Sequence, residues 1–143
     1  MRTPSVKVYI GLLKRCACDP MKPLTVDDWE RWTRRLREAP AIIVEGKKDV
    51  RSLHKLGLTN IVPLDGPLHA TIDRINVKRC AVLTDLDSEG KRLHGLLKTE
   101  LQRNGVHVDD ELRTFLFNTP VRHIEGLAAY LRTAQIIHDD WLR

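Results

Sequence analysis

Long apolar segments are absent from this chain of 143 residues. No run reaches the roughly 18 consecutive apolar residues that indicate a membrane-spanning helix, so the sequence predicts no membrane span. The amino-terminal segment also lacks the apolar core of a signal peptide, because its short apolar stretch is followed at once by Lys14 and Arg15. We therefore expect a cytoplasmic protein without a membrane partner.

Cysteine is scarce, with Cys16, Cys18 and Cys80 as the three examples. An odd number of cysteines implies no disulfide framework in a reducing compartment. Cys16 and Cys18 are spaced closely enough to suggest a metal or redox pair. However, no second cysteine pair and no suitably spaced histidine completes a zinc site. We interpret all three as free thiols.

The overall composition is that of a globular protein with a basic balance. Apolar residues make up 42% of the chain and charged residues 30%, which is ordinary for a folded domain. The net charge of +5 is compatible with a partner that carries phosphates. We expect an N-terminal extension with a basic helix over residues 1–40 and a second, larger domain over residues 41–143.

Short apolar runs alternate with helical patterns along the chain. The runs at residues 41–44, 61–64 and 80–83 predict buried strands. Helices are predicted over residues 47–56, 69–77 and 122–133, and after Gly90 up to Asn104, whereas residues 109–117 fit either a short helix or a strand. This order predicts a Rossmann-like α/β fold with a mainly parallel sheet of about four strands flanked by helices. Pro63 cannot donate to a ladder, so its strand is expected at an edge.

A further helix is predicted to begin after Thr25 and to end at Pro40. Thr25 is a favourable N-cap, and Trp29, Trp32 and Leu36 share one face. The other face of this helix is rich in arginine. Two interpretations stay open: this face contacts a nucleic-acid backbone, or it is simply solvated. The arginines are Arg31, Arg34, Arg35 and Arg37.

Two of the predicted strands end in acidic residues. Glu45 and Gly46 follow the first strand, and Asp85 and Asp87 follow the third, shortly before Gly90. Parallel strands end at the same edge of a sheet, so Glu45 would face the aspartates if the two strands are neighbours. Clustered carboxylates repel one another unless a cation neutralises them, and Mg²⁺ prefers oxygen ligands. Alternatively, Asp87 caps the next helix and Asp85 is a loop residue. Both glycines are expected to let a metal or phosphate approach the backbone and to adopt unusual dihedral angles.

Together, the segments IIVEGKKD (residues 42–49) and LTDLDSEG (residues 83–90) resemble a Toprim domain. This domain is shared by topoisomerases, bacterial-type primases, overcoming-lysogenisation nucleases and the ribonuclease that matures 5S ribosomal RNA. The chain is most similar to the small stand-alone Toprim proteins of archaea. That similarity lies in TDLDSEGK (84–91), VDDELR (108–113) and HIEGL (123–127).

The resemblance implies a role for each matching residue. Glu45 corresponds to the general acid or base, and Asp85 and Asp87 to the Mg²⁺-binding pair, which Mn²⁺ can also occupy. Asp49 matches an acidic position near the metal, although a partner for the helix dipole is an equally good interpretation. The roles of His123 and Glu125 stay open.

The residues at the two helix starts beside the acids are candidates for phosphate contacts, because exposed backbone N–H groups lie there too. Each basic side chain among them has a solvated surface residue as its alternative. These candidates are Gly46, Lys47, Lys48, Gly90, Lys91 and Arg92.

The expected function is Mg²⁺-dependent phosphodiester chemistry on RNA or DNA, of the nuclease or nucleotidyl-transfer type. A topoisomerase is not expected, because Tyr9 and Tyr130 are the chain's two tyrosines and the chain is too short for a strand-passing gate. Two alternatives remain open: a non-catalytic nucleic-acid-binding subunit of an RNA-processing complex that retains the metal site, and a regulator that binds small nucleotides.

Overall fold

The computed structural model describes residues 24–138. The free thiols predicted at Cys16 and Cys18 lie outside these residues, as do Trp141 and Leu142, which the sequence predicts to pack back on the core. The elements are α1 Val26–Glu38, β1 Ile42–Val44, α2 Lys47–Lys55, β2 Ile61–Pro63, α3 Leu68–Ile75, β3 Arg79–Val82, α4 Ser88–Arg103, β4 His107–Asp109, α5 Glu111–Leu116, a 3-10 turn Ile124–Gly126 and α6 Leu127–Thr133.

The four strands form one parallel sheet in the order β2-β1-β3-β4. The chain first moves outward from β1 to β2, then returns past β1 to place β3 on its other side. The predicted α/β class and four-stranded parallel sheet are therefore confirmed. Pro63 lies on edge strand β2, as its missing N–H requires.

Helices cover both faces of the sheet, and strand side chains alternate between two hydrophobic clusters. Ile42 and Val44 point into the cluster formed with α1, α2, α5 and α6. Ile43 points into the opposite cluster, formed with α3 and α4. Because both faces are buried, the central strands consist of consecutive apolar residues, as is usual for parallel sheets.

Helix α1 begins as the sequence predicts. The Thr25 hydroxyl accepts the Asp28 N–H at 3.0 Å, and the Asp28 carboxylate accepts the Thr25 N–H at 3.2 Å, which completes a capping box. Trp29, Trp32 and Leu36 are buried in the same cluster as the sheet. The boundary between an extension and a larger domain stays a prediction, although α1 and the sheet share one core.

Two arginines on the arginine-rich face of α1 form salt bridges within the fold. Arg35 forms salt bridges to Asp109 at 2.8 Å and to Glu111 at 2.9 Å, which connect α1 to β4 and α5. Arg31 pairs with Asp28 at 3.1 Å in the first turn. These two arginines therefore already have carboxylate partners.

Helix α4 differs from its prediction at its start and on its apolar face. It begins at Ser88, before Gly90, because Asp87 caps it. Leu97 and Leu101 are buried in the core, but Leu96 is 47% exposed. The spacing of Leu93, Leu96, Leu97 and Leu101 predicts one apolar stripe along this helix. That prediction is wrong at Leu96, because the face that α4 buries against the sheet is narrower than the stripe.

The start of α6 also needs correction. The helix predicted from Arg122 starts later, since His123 is extended and the 3-10 turn precedes α6. For residues 109–117, the short helix, one of the two predicted forms, is confirmed as α5, and Asp109 is the last residue of β4. Strand β4 was not predicted from the sequence, because Val108 is its only apolar residue.

Cys80 is a buried free thiol on β3, as predicted for this cysteine. Burial raises the pKa of its thiol to about 11. Among the helices of residues 24–138, none combines the length and apolar character needed to cross a bilayer.

Candidate metal centre

Glu45 and Asp85 meet at the carboxyl edge of the sheet. β1 and β3 are adjacent, and the chain changes direction between them, which makes this the switch point where α/β proteins bind ligands. Glu45 follows β1, and its Oε2 accepts the backbone N–H of Asp85 at 2.8 Å. The two predicted strand-end acids are thus direct neighbours.

The Asp85 carboxylate is held on the other side by the segment before α6. Its Oδ1 accepts the Ile124 N–H at 2.8 Å, and its Oδ2 lies 3.3 Å from Nδ1 of His123. These contacts are made across 38 or 39 residues of chain. The orientation of Asp85 therefore depends on where the 3-10 turn packs, which the local sequence does not specify.

Asp87 is the N-cap of α4. Its Oδ1 accepts the Gly90 N–H at 2.8 Å, which is the capping interpretation considered from the sequence. Its other oxygen, Oδ2, lies 3.7 Å from Nδ1 of His123. One oxygen therefore caps the helix while the other faces the centre of the site.

His123 joins the two aspartates, and together these three residues are called the donor group below. One ligand atom from each of Asp85, Asp87 and His123 lies within 4.8 Å of the other two. Carboxylate oxygens suit Mg²⁺ and Mn²⁺, and an imidazole nitrogen extends the choice to other divalent transition metals. The chemistry and spacing of these donors fit a divalent cation.

Electrostatics at the donor group also favour a positive charge. The hydrogen bond to Asp85 raises the pKa of His123, and the charges of Asp85 and Asp87 raise it further. The sequence left the role of His123 open. The only sequence signal for it is the HIEGL motif, which does not reveal that the imidazole reaches the aspartates.

Glu45 stands beside the donor group, with a perturbed carboxyl. Burial raises the pKa of Glu45, and the neighbouring carboxylates of Asp85, Asp49 and Asp87 raise it further. The hydrogen bond from the Asp85 N–H offsets part of that rise. A carboxyl held above its ordinary pKa is better suited to exchanging protons near neutral pH.

Asp49, for which a metal ligand and a partner of the helix dipole were both open, lies at the start of α2. Its side chain is buried in the first turn of α2 and accepts the Gly46 N–H at 3.2 Å. It does not belong to the donor group found among residues 24–138. Burial raises the pKa of Asp49, and the charge of Asp85 adds to this effect. Asp49 thus organises the helix start and contributes negative charge nearby.

Arg113 is an important residue that sequence reasoning missed. It is buried on α5, where its Nε donates to the Thr84 carbonyl at 3.1 Å and to the Thr84 hydroxyl at 2.9 Å. Its Nη2 donates to the Asp85 carbonyl at 2.9 Å. The buried guanidinium of Arg113 therefore holds the backbone of Thr84 and Asp85 in place. Its positive charge partly balances the neighbouring carboxylates. The sequence signal for Arg113 was its place at the end of the VDDELR motif, which does not reveal that the guanidinium reaches Thr84 and Asp85.

The two glycines of the motifs differ from the prediction in their backbone conformation, whereas the predicted approach of a metal or phosphate to them stays a prediction. Gly46 is extended and Gly90 is helical, so the expected unusual dihedral angles are wrong at both. Gly90 is required by close packing instead, because a Cβ there would overlap the carbonyl group of Asp85. A Cβ at Gly46 would meet open space.

The predicted phosphate-contacting cations are exposed near the starts of α2 and α4. Lys47 and Lys48 begin α2. On α4, Lys91 lies over the Phe117 ring at 5.4 Å, and Arg92 pairs with Glu89. Of these four cations, Lys47 and Lys48 are the two for which no ion pair or cation–π contact is found among the described residues.

The fold and the site define a doubly wound α/β protein with a group of three potential metal ligands at the switch point of its sheet. The chain belongs to the UPF0292 family. It is 36% identical to a UPF0292 protein of Methanocaldococcus jannaschii over 102 residues, covering 66% of this chain and 80% of the relative. It is also 36% identical to a UPF0292 protein of Pyrococcus horikoshii over 108 residues, covering 70% and 82% respectively.

A solved structure of a protein from Aquifex aeolicus has the same fold. The two structures align with a TM-score of 0.66 and 29% sequence identity, over 73% of this chain and 99% of that one. No protein-family model matches the chain.

Proposed function

We propose that this protein is a Toprim-type enzyme that performs metal-dependent phosphodiester chemistry on nucleic acid. The observation that carries the proposal is the position of Glu45, whose pKa is raised and whose carboxyl contacts the loop of the aspartate pair. A proton-exchanging carboxyl beside a cation site is the arrangement that cleavage or transfer of a phosphodiester requires.

Asp85 and Asp87 are the residues that would hold Mg²⁺ or Mn²⁺, with His123 as a third donor. A bound cation would neutralise charge on the phosphoryl oxygens. Arg113 and the Ile124 N–H hold Asp85 in place from two sides, so this ligand is already oriented before the metal binds.

Glu45 would act as the general acid or base. Its Oε2 is fixed by the Asp85 N–H, which directs the carboxyl toward the site. It would accept a proton from the attacking hydroxyl or water, or return one to the leaving oxygen. General acid–base catalysis of this kind contributes about 10²- to 10⁴-fold in rate.

The test uses Glu45→Gln, because glutamine keeps an oxygen that can accept the Asp85 N–H but cannot exchange protons. Nucleic acid that co-purifies with the protein is sequenced, and the corresponding labelled RNA and DNA are incubated with Mg²⁺ or Mn²⁺. We expect single-turnover cleavage or transfer to fall by about 10²-fold or more in the variant.

The matched control is Glu89→Gln, which changes an exposed acid in the first turn of α4 that is paired with Arg92 at the surface. It should retain the rate of the wild type within a few-fold, since exposed ion pairs contribute little. Equal rates for the wild type and Glu45→Gln would contradict the proposed role of Glu45.

A non-catalytic nucleic-acid-binding role is the second candidate, and one observation favours it. Asp85 already accepts the Ile124 N–H, and Asp87 already caps α4, so both carboxylates have structural partners without any ion. This candidate predicts salt-dependent binding of nucleic acid with no turnover under any divalent cation.

A further inference from the structure

A basic groove runs between α2 and α6, beside the candidate metal centre. Its volume is about 320 Å³, and two small residues, Ser52 and Ala128, form part of its lining. Cationic side chains dominate the rest of the lining. They are Lys48, Arg51 and Lys55 on α2 and Arg132 on α6.

The three cations on α2 form a row along one side of the helix. Lys48, Arg51 and Lys55 are spaced i, i+3 and i+7, so they share a face and extend over about 10 Å at about 1.5 Å per residue. All three are exposed, and no carboxylate within residues 24–138 forms a salt bridge with them. By contrast, Arg35 on α1 is occupied by two acids.

The groove shares two elements with the candidate metal centre. Helix α2 starts directly after Glu45 and Gly46, and Glu125, two residues after His123, lines the groove and acts electrostatically on Asp49. The Ser52 hydroxyl donates to the Glu125 carbonyl at 3.3 Å, which joins α2 to the 3-10 turn. The cationic row therefore lies on a helix that begins beside the acidic centre and contacts the segment that carries His123.

We propose that this groove seats the sugar-phosphate backbone of one nucleic-acid strand and leads it to the carboxylates at the end of β1 and β3. The inference rests on the proposed function, because it assigns the path of the substrate to that same site. A row of three cations about 10 Å long is long enough to contact more than one consecutive phosphate of a strand.

A single strand fits this surface better than an acidic peptide. Each unit of the strand carries a fixed charge on its backbone, so consecutive phosphates can meet consecutive cations along one line. An extended peptide instead points successive side chains to opposite sides. The small side chains of Ser52 and Ala128 also leave room for a backbone rather than forming an apolar pocket.

The experiment measures binding in EDTA, so that no metal chemistry contributes. A labelled single strand of about 16 nucleotides, as DNA and as RNA, is titrated with the full chain by fluorescence anisotropy. The titration is repeated at salt concentrations from about 50 to about 200 mM. The test variant is Lys48→Ala/Arg51→Ala. The matched control is Arg74→Ala/Lys78→Ala, which removes two exposed cations from α3 and from the segment before β3.

We expect the groove variant to bind the single strand about 10-fold more weakly, with a change of less than about twofold in the control. The slope of log K against log salt should decrease by about 1.4, at about 0.7 for each lost phosphate contact. Unchanged melting curves by circular dichroism establish that both variants are folded.

Three results would overturn the groove assignment. The first is the absence of single-strand binding by the wild type at low salt, and the second is an equal loss of affinity in both variant pairs. The third is competition by polyglutamate as effective as competition by unlabelled single strand. Failure of the proposed chemistry gives a separate result. In that case the single strand would still bind through the groove in EDTA, but Glu45→Gln and the wild type would show the same turnover.

Discussion

Asp87 uses its two carboxylate oxygens for different purposes. Oδ1 accepts the Gly90 N–H and caps α4, while Oδ2 faces His123 in the donor group. The two interpretations that the sequence left open, helix cap and metal ligand, are therefore compatible in a single side chain. Capping fixes the Asp87 rotamer, and a fixed ligand loses less conformational freedom when a cation binds.

Gly90 is the residue at which the close approach of α4 to the acidic loop is most easily tested. In Gly90→Ala, the added Cβ would overlap the backbone of Asp85, and neither backbone can yield without moving the loop. We expect the free energy of unfolding to fall by about 3 kcal/mol, at the upper end of overpacking costs. Chemical denaturation monitored by circular dichroism measures this change.

Gly95→Ala is the control in the same helix. Gly95 is exposed near the middle of α4, and a Cβ there meets nothing within 4 Å. Alanine should stabilise the helix by about 0.5–1 kcal/mol, because it restricts the unfolded chain and favours the helix. A similar gain in stability in the two variants would contradict the close contact with Asp85, because helix propensity alone would then account for both changes.

Helix α5 has only six residues, so its position depends on tertiary contacts rather than on its own propensity. Asp110, immediately before it, accepts hydrogen bonds from His94 at 2.7 Å and from Lys98 at 3.2 Å, both on α4. On its other side, α5 is joined to α1 by the salt bridge between Glu111 and Arg35. Anchored in this way, α5 presents Arg113 beneath the acidic loop.

Asp110→Asn tests the link between α4 and α5. Burial raises the pKa of Asp110, but the hydrogen bonds from His94 and Lys98 outweigh it and leave the pKa below its ordinary value. A carboxyl with a lowered pKa in the folded state stabilises the protein above its unfolded pKa of about 3.9 and loses that contribution as the pH falls further. We expect the variant to lose about 1 kcal/mol at neutral pH.

The difference between wild type and Asp110→Asn should shrink as the pH falls below about 4, because the carboxyl of the wild type is then protonated as well. Urea titrations at several pH values follow this trend. Asp73→Asn on α3 is the control, since Asp73 is exposed and forms no salt bridge with the residues that the structure describes. A difference that does not change with pH would mean that the Asp110 charge has no part in the link.

In the molecule as a whole, the order of the strands determines where chemistry can take place. With β1 and β3 at the centre, Glu45 and the aspartate pair emerge side by side, and helices leave the sheet on opposite faces around them. The 3-10 turn, from a distant part of the chain, then adds His123 and the Ile124 N–H. The donor group is thus assembled from separate segments and exists only in the folded chain.

Metal binding should therefore stabilise the entire fold. A ligand that binds only the native state contributes about 2.7 kcal/mol at a concentration of 100 times its Kd. We expect Mg²⁺ or Mn²⁺ to raise the Tm of the wild type. Asp87→Asn should keep its Tm without metal, because asparagine also caps helices, but should lose most of the metal-induced increase.

Differential scanning fluorimetry with and without each cation measures both effects. The Asp73→Asn variant again serves as the control and should respond to the metal like the wild type. If Asp87→Asn responded as strongly as the wild type, Asp87 would be a cap alone and the metal would have to bind elsewhere.

Some elements were predictable because their causes are local. Thr25 and Asp28 form their capping box within one turn, and Pro63 belongs at a sheet edge because it has no N–H to donate. Strand β4 was missed, because it has little apolar signal of its own and forms by pairing with β3. Leu96 was assigned to the wrong environment, since periodicity identifies an apolar face but not how much of it a neighbouring sheet covers.

Local patterns in the chain were enough to predict the α/β class, the strand-end positions of Glu45, Asp85 and Asp87, and the glycine near the start of α4. These follow from periodicity, capping and the shape of parallel sheets, which act over a few residues. The folded structure alone shows that His123 completes the donor group and that Arg113 supports Asp85. These two contacts to Asp85 span 38 and 28 residues of chain. They depend on how helices pack on the sheet, and no local pattern in the chain encodes that packing.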